Sequence, residues 1–120
     1  MIRSVDDLDV FQRSYRLALE IDRETKRFPP IARNELGSQL RRASKSIPAN
    51  IAEGFSRRKF HREYKRYLEI ARGSCDELVV HLRFTRDLEY LTTDRYEYFF
   101  AEFQIVGKQL TKLIKVWATF

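Results

Sequence analysis

The sequence of 120 residues has few of the residues that interrupt helices or crosslink chains: four glycines, three prolines, two histidines and one cysteine. The single cysteine, Cys75, excludes an internal disulfide and is typical of a reducing compartment. We interpret it as a small buried core residue. No apolar run approaches the roughly 20 residues that a bilayer crossing requires, and acidic residues interrupt the N-terminal segment where a secretory signal would be apolar. These features predict a cytoplasmic protein with no membrane partner.

The scarcity of reactive and metal-binding side chains argues against an enzyme. A di-iron helical bundle requires Glu-x-x-His pairs, but Arg58 and Leu78 stand three residues before His61 and His81. Cys75 and His81 are six residues apart, so on one helix they point in different directions and form neither a zinc site nor a nucleophile–base pair. The glycines do not form a nucleotide-binding loop. We predict no catalytic residues, no metal site and no cofactor.

Apolar residues recur at intervals of three and four, and no stretch sustains the alternation of a strand. The pattern predicts helices at about residues 6–26, 34–54 and 58–90, and a fourth after a link at residues 92–94. Short connections between long amphipathic helices favour antiparallel neighbours. The sequence therefore predicts an all-α protein, an up-down-up-down antiparallel four-helix bundle that spans residues 1–120 as a single domain.

Individual residues mark where these helices begin and end. Asn34 is a predicted N-cap of the second helix and Gly54 its predicted stop. Pro48 lies inside that helix, where a proline deletes one backbone hydrogen bond and favours a kink. Asp94 and Glu97 resemble a capping box at the start of the fourth helix.

Two helices carry more apolar surface than one bundle core requires. On the third helix, one set of residues projects opposite the Leu78 and Leu82 stripe, and on the first helix another set lies beside the stripe of Leu8, Phe11, Tyr15, Ala18 and Leu19. Aligned apolar residues outside a core are typical of subunit interfaces. We therefore predict a homo-oligomer whose interface residues are Val10, Leu17, Ile21, Gly73, Val80, Phe84 and Leu91.

Positive charge is concentrated in residues 39–66, which hold nine of the 23 Lys and Arg residues but two of the 17 Asp and Glu residues. Such a local field attracts a polyanion, and grouped cations are what phosphate contacts require. The predicted nucleic-acid-binding residues are Arg41, Arg42, Lys45, Arg57, Arg58, Lys59, Arg62, Lys65 and Arg66. Aromatic residues in the same segment could stack on unpaired bases, but their helical spacing favours core or interface positions: Phe55, Phe60, Tyr64 and Tyr67.

Residues 46–54 read SIPANIAEG, and two of their polar side chains have a structural interpretation. Asn50 falls at the edge of the apolar stripe, where a buried amide must find hydrogen-bond partners. Glu53 shares a side of the helix with Arg42 and Ser46. We predict that Asn50 and Glu53 belong to a structural polar network rather than to a reactive centre.

At these residues the chain resembles the 23S rRNA intervening-sequence proteins, a family of small bacterial four-helix-bundle proteins. The similarity also covers residues 7–11, 38–43, 67–74 and 77–78. The resemblance implies assembly as a homopentamer, a form shared with the related accessory variability determinant of diversity-generating retroelements, a nucleic-acid-binding partner of a reverse transcriptase.

Together these features predict a non-enzymatic oligomeric protein that binds nucleic acid, RNA or DNA, through a basic rim. The alternative is a scaffold that docks a protein partner, or an accessory subunit of a nucleic-acid enzyme such as a reverse transcriptase. A polyanion binder should show a steep salt dependence with little base preference, whereas a scaffold should prefer a protein.

Overall fold

The computed structural model of the chain describes residues 2–117, and all regular structure in this range is helical. Four long helices form the bundle: α1 (Asp9–Thr25), α2 (Ser38–Ser56), α3 (His61–Asp87) and α4 (Thr93–Trp117). A 3-10 turn, Val5–Asp7, precedes α1, and the short segments Pro30–Ala32 and Arg33–Gly37 lead into α2. The prediction of an all-α four-helix bundle is confirmed.

Each helix runs antiparallel to the next, and α4 closes the bundle against α1. In every neighbouring pair, an early residue of one helix meets a late residue of the other, as short connections require. The contacts that establish this order are Asp22–Lys45 and Thr25–Arg41 between α1 and α2, Ser46–Ser74 and Gly54–Tyr67 between α2 and α3, Cys75–Phe103 and Tyr64–Trp117 between α3 and α4, and Arg13–Glu102 and Glu24–Arg95 between α1 and α4.

The bundle axis holds large side chains from all four helices. Tyr64, Phe99 and Phe103 are fully buried, together with leucines and isoleucines of α1, α2 and α3. Burying one such side chain stabilises the folded state by about 1.5–3 kcal/mol. Cys75 is buried in the same core, as predicted, and its thiol donates to the Phe103 carbonyl oxygen at 3.2 Å.

The entry into α2 differs from the prediction. Helical backbone begins at Pro30, which follows an extended Pro29 and lies in the first turn, where a missing N–H costs nothing. Asn34 therefore lies inside the π-helical segment Arg33–Gly37, and its prediction as an N-cap was wrong. Gly54 was also wrong as a stop signal, because α2 continues to Ser56 and buries Gly54.

The connection between α3 and α4 is held by backbone geometry that the sequence pattern did not predict. Helix α3 ends at Asp87, and Glu89 adopts a left-handed conformation with φ of 67°. The Glu89 and Tyr90 N–H groups donate to the carbonyls of Arg86 and Thr85, the two bonds of a Schellman motif. Thr85 to Tyr90 thus form a helix stop without glycine.

The start of α4 also corrects a prediction. The Thr92 hydroxyl accepts a hydrogen bond from the Arg95 N–H at 3.2 Å, which makes Thr92 the N-cap. Asp94 instead lies within the first turn, where its carboxylate interacts favourably with the helix dipole. The predicted capping box of Asp94 and Glu97 was two residues too late.

Candidate nucleic-acid interface

The structure divides the nine predicted cations between two places on the bundle. One group, Arg41, Arg42 and Lys45, lies in the first half of α2 beside the end of α1. The other group surrounds the turn between α2 and α3, and we call it the basic turn: Arg57, Arg58, Lys59, Arg62, Lys65 and Arg66. Sixteen residues of helix separate Arg41 from Arg57, a distance of about 24 Å. The nine cations therefore do not form one surface.

The first group is largely used to hold α1 and α2 together. Arg41 donates to the Thr25 hydroxyl at 3.0 Å and to the Arg33 carbonyl at 3.2 Å. Lys45 lies 3.2 Å from a carboxylate oxygen of Asp22. Hydrogen bonds from Lys26 and then Lys45 hold the pKa of Asp22 below its usual value. Arg41 and Lys45 therefore have a structural role within the chain, whereas Arg42 is exposed.

The basic turn is more exposed, and its positive charge is only half balanced. Arg57 pairs with Glu53 at 3.0 Å. Further along α3, Arg66 pairs with Glu63 at 3.1 Å and Lys65 lies 4.0 Å from Glu69. Exposed pairs of this kind are worth about 0–1 kcal/mol, so a phosphate can replace the carboxylate at little cost.

The remaining members of the basic turn are Arg58, Lys59 and Arg62. Arg58 donates to the Phe55 carbonyl at 3.0 Å, and its guanidinium lies 4.1 Å from the centre of the Phe55 ring. Within residues 2–117, neither Lys59 nor Arg62 forms an ion pair. The positive charges of these two exposed side chains are therefore not neutralised by a carboxylate of the described residues.

The aromatic residues of the segment have different environments. Phe55 and Tyr64 are buried and meet edge to face with ring centres 6.3 Å apart, and burial raises the pKa of Tyr64 to about 12. Tyr67 is half-buried beneath the guanidinium groups of Arg57 and Arg66. Phe60 is 66% exposed and is the member of this set that could stack on a base.

The polar residues of the SIPANIAEG motif connect helices. The Asn50 amide donates to the carbonyl and the hydroxyl oxygen of Ser46, at 2.8 and 3.0 Å. The Ser46 hydroxyl also lies 2.9 Å from that of Ser74, which joins α2 to α3. Glu53 is exposed and pairs with Arg57. It therefore contributes to the basic turn, whereas the predicted grouping with Arg42 and Ser46 does not form.

Four of the seven predicted interface residues lie in the core of the single chain. Val10, Leu17, Ile21 and Leu91 are buried, so the prediction that they form a free surface was wrong. The apolar arc of α1 is wide enough to serve two faces, and its neighbours determine which half turns inward. Gly73, Val80 and Phe84 are exposed on α3, as predicted.

The exposed apolar face of α1 includes two residues that were assigned to its core stripe, whereas Leu8 and Ala18 of that stripe are buried as predicted. Tyr15 and Leu19 are 52% and 44% exposed. With Phe11 they form one wall of a groove of about 400 Å³ whose other wall is Pro48, Ala49 and Ala52 of α2. The wide apolar arc of α1 indicated that such a face exists, but not which residues form it.

A basic groove between α3 and α4 was missed altogether. It has a volume of about 490 Å³ and contains Arg72 and Asp76 of α3 together with Lys108, Lys112 and Lys115 of α4. The lysine spacing of four and three residues was visible in the sequence and places them on one side of a helix. It was missed because α3 contributes the opposite wall.

Metal-binding groups, a reactive cysteine and membrane-spanning helices are absent from residues 2–117. No three His, Cys, Asp or Glu side chains there are grouped to hold a metal ion. Burial raises the pKa of the Cys75 thiol to about 12, so this cysteine is not a nucleophile at neutral pH. No helix in this range combines the length and apolar character needed to cross a membrane.

Comparisons with known proteins agree with this architecture. The family described as 23S rRNA-intervening sequence protein matches residues 6–112. A crystal structure from Bacteroides thetaiotaomicron, described as a protein with unknown function from the S23 ribosomal protein family, is similar with a TM-score of 0.78 and 26% sequence identity. The match covers 88% of this chain and 98% of the other. No curated protein matches the chain.

Proposed function

Because the chain belongs to the 23S rRNA-intervening sequence protein family, we propose that it is a non-enzymatic oligomeric protein that binds nucleic acid through the basic turn. The observation that carries this proposal is the local charge. The basic turn holds six cations at one end of the bundle against the carboxylates of Glu53, Glu63 and Glu69. A phosphate backbone has the repeated negative charge that such a surface attracts.

The chemistry of the basic turn favours contacts to phosphates over contacts to bases. Lys59 and Arg62 extend from the surface without an ion pair in the described part of the chain. Phosphate contacts position a protein on nucleic acid but carry no sequence information, whereas base contacts need shaped polar or stacking groups. Phe60 supplies one exposed ring. Binding should therefore depend strongly on salt and weakly on sequence.

Oligomerisation would multiply this charge, and the surface of the chain offers two apolar patches for it. One is the ridge of Val80 and Phe84 on α3, 48% and 55% exposed, and the other is the α1–α2 groove beside Tyr15 and Leu19. Two different patches on one chain favour head-to-tail contacts, which form a ring when the rotation closes. We propose a closed homo-oligomer, for which the family resemblance implies five subunits.

The direct test replaces Lys59, Arg62 and Arg66 with glutamine, which removes three charges without touching the Arg58 contact to Phe55. Binding of a mixed-sequence single-stranded oligonucleotide is measured by fluorescence anisotropy over a range of salt. The slope of log affinity against log salt should fall by about 0.7 for each phosphate that the variant no longer engages, or about 0.9 on duplex DNA. Unrelated sequences should weaken alike.

A matched control removes three charges from the opposite end of the bundle, with Arg23→Gln, Lys26→Gln and Arg27→Gln. This variant should keep most of the affinity and most of the salt slope. If the basic-turn variant binds as tightly as the control variant, the basic turn is not the site. If the wild-type protein binds no nucleic acid, the alternative function, a scaffold that docks a protein partner, is the better supported one.

A further inference from the structure

The α3–α4 groove is a second concentration of positive charge, separate from the residues of the basic turn. Arg72, Lys108, Lys112 and Lys115 are exposed around it, and Asp76 is the one carboxylate that the described part of the chain contributes to its lining. Within residues 2–117, no carboxylate oxygen lies within 4.0 Å of these four cations. The groove therefore carries a local excess of positive charge that the fold leaves unpaired.

The arrangement of the lysines suits an extended anion rather than a single ion. Lys108, Lys112 and Lys115 follow one side of α4 and span about 10 Å along its axis at 1.5 Å per residue. Arg72 faces them from α3. Cations spaced along a groove can neutralise successive charges of a chain, whereas a small anion would engage only part of the row.

The neutral lining of the groove favours phosphates over a peptide. Gln104 and Thr111 supply neutral donors, and Gly107 leaves the floor without a side chain. Among residues 2–117, the lining contains no large apolar or aromatic residue of the kind that anchors a protein partner. Amide and hydroxyl donors beside Lys and Arg are the groups that commonly contact phosphate oxygens.

The groove also reaches toward the basic turn. Lys112 lines both the groove and a neighbouring cleft whose wall includes Arg58. On α3, Lys65 of the basic turn precedes Arg72 by seven residues, so both lie on the same side of the helix. A strand bound at the basic turn could therefore continue along this side of α3 into the groove.

Building on the proposed function, we propose that the α3–α4 groove binds the sugar-phosphate backbone of the same nucleic acid and extends the contact made by the basic turn. Because none of the described residues that line the groove is aromatic, it contributes affinity without base preference. The site is thus bipartite, with one part at the α2–α3 turn and the other between α3 and α4.

The test compares Lys108→Gln/Lys112→Gln/Lys115→Gln with the basic-turn variant and with the control variant at Arg23, Lys26 and Arg27. Using the same mixed-sequence single strand, the salt slope of the groove variant should be smaller than that of the wild type by about 2, since each of three phosphate contacts contributes about 0.7. The slope of the control variant should change much less. Circular dichroism checks that each variant keeps its helical content.

A footprint on the wild-type protein locates the contact without relying on variants. Lysine acetylation, quantified by mass spectrometry, should be slowed at Lys108, Lys112 and Lys115 when the oligonucleotide is added, and unchanged at Lys26. Absence of this protection overturns the groove proposal. If the groove variant matches the control while the basic-turn variant weakens, the groove is rejected and the proposed function stands; a wild type that binds no nucleic acid overturns both.

Discussion

At the scale of the residue, Gly54 shows why a helix interior can require glycine. A Cβ atom at this position would lie 2.9 Å from the Cβ of Tyr67 and 3.1 Å from a ring carbon of Tyr64. Both contacts are shorter than normal packing allows, and Tyr64 is fixed in the core. The role of Gly54 is therefore to let α2 and α3 approach closely.

We predict that Gly54→Ala lowers the free energy of unfolding by about 1–3 kcal/mol, the usual cost of overpacking a core. Gly73→Ala is the matched control, because a Cβ there meets nothing within 4 Å. In an exposed helix this change should stabilise by about 0.5–1 kcal/mol. Urea denaturation measures both, and equal effects of the two substitutions would contradict the close-approach argument.

At the scale of the element, the end of α3 stores conformational strain. Glu89 has φ of 67°, in the left-handed region that costs a residue with a side chain about 1–2 kcal/mol. The Schellman hydrogen bonds to Arg86 and Thr85 keep it there. Glycine is the residue usually found at this position because it has no Cβ.

We predict that Glu89→Gly stabilises the protein by about 1 kcal/mol. Glycine relieves the backbone strain of the left-handed conformation, and this gain is partly offset because glycine also raises the conformational entropy of the unfolded chain. Glu89→Ala is the control, since it removes the carboxylate but retains the Cβ. The alanine variant should remain near the wild-type midpoint in urea. A gain as large for alanine as for glycine would show that charge, and not backbone strain, is responsible.

At the scale of the whole molecule, residues 2–117 leave the Val80 and Phe84 ridge about half exposed. Burying one phenylalanine contributes about 1.5–3 kcal/mol, so a charge at each copy of this contact in a ring should prevent assembly. We predict that Phe84→Glu shifts the particle to smaller species by light scattering while circular dichroism keeps its helical signal.

Ile105→Glu provides the control, because Ile105 is also an exposed apolar residue, 39% exposed, but lies on α4, whereas the ridge lies on α3. It should leave the assembly intact. Tyr15→Glu, in the α1–α2 groove, should act like Phe84→Glu if the two patches meet. A wild-type protein that scatters as a monomer would contradict the proposed ring.

Part of this architecture could be predicted from the sequence alone. The spacing of apolar residues and the scarcity of glycine and proline predict the helices and, through their short connections, the antiparallel bundle. Burial of Cys75 and exposure of Val80 and Phe84 follow from the same periodicity. These properties are local, since they depend on positions within one helix.

Tertiary packing decided the rest. Periodicity shows that α1 has a wide apolar arc, but contact with α2 and α4 turns Leu17 and Ile21 inward and leaves Tyr15 and Leu19 outside. The distance between cations along α2 likewise splits one basic segment of sequence between two ends of the bundle. The α3–α4 groove needs walls from two helices, so neither helix predicts it alone. Each of these features depends on how helices are rotated against one another, a property of their contacts and not of any single segment.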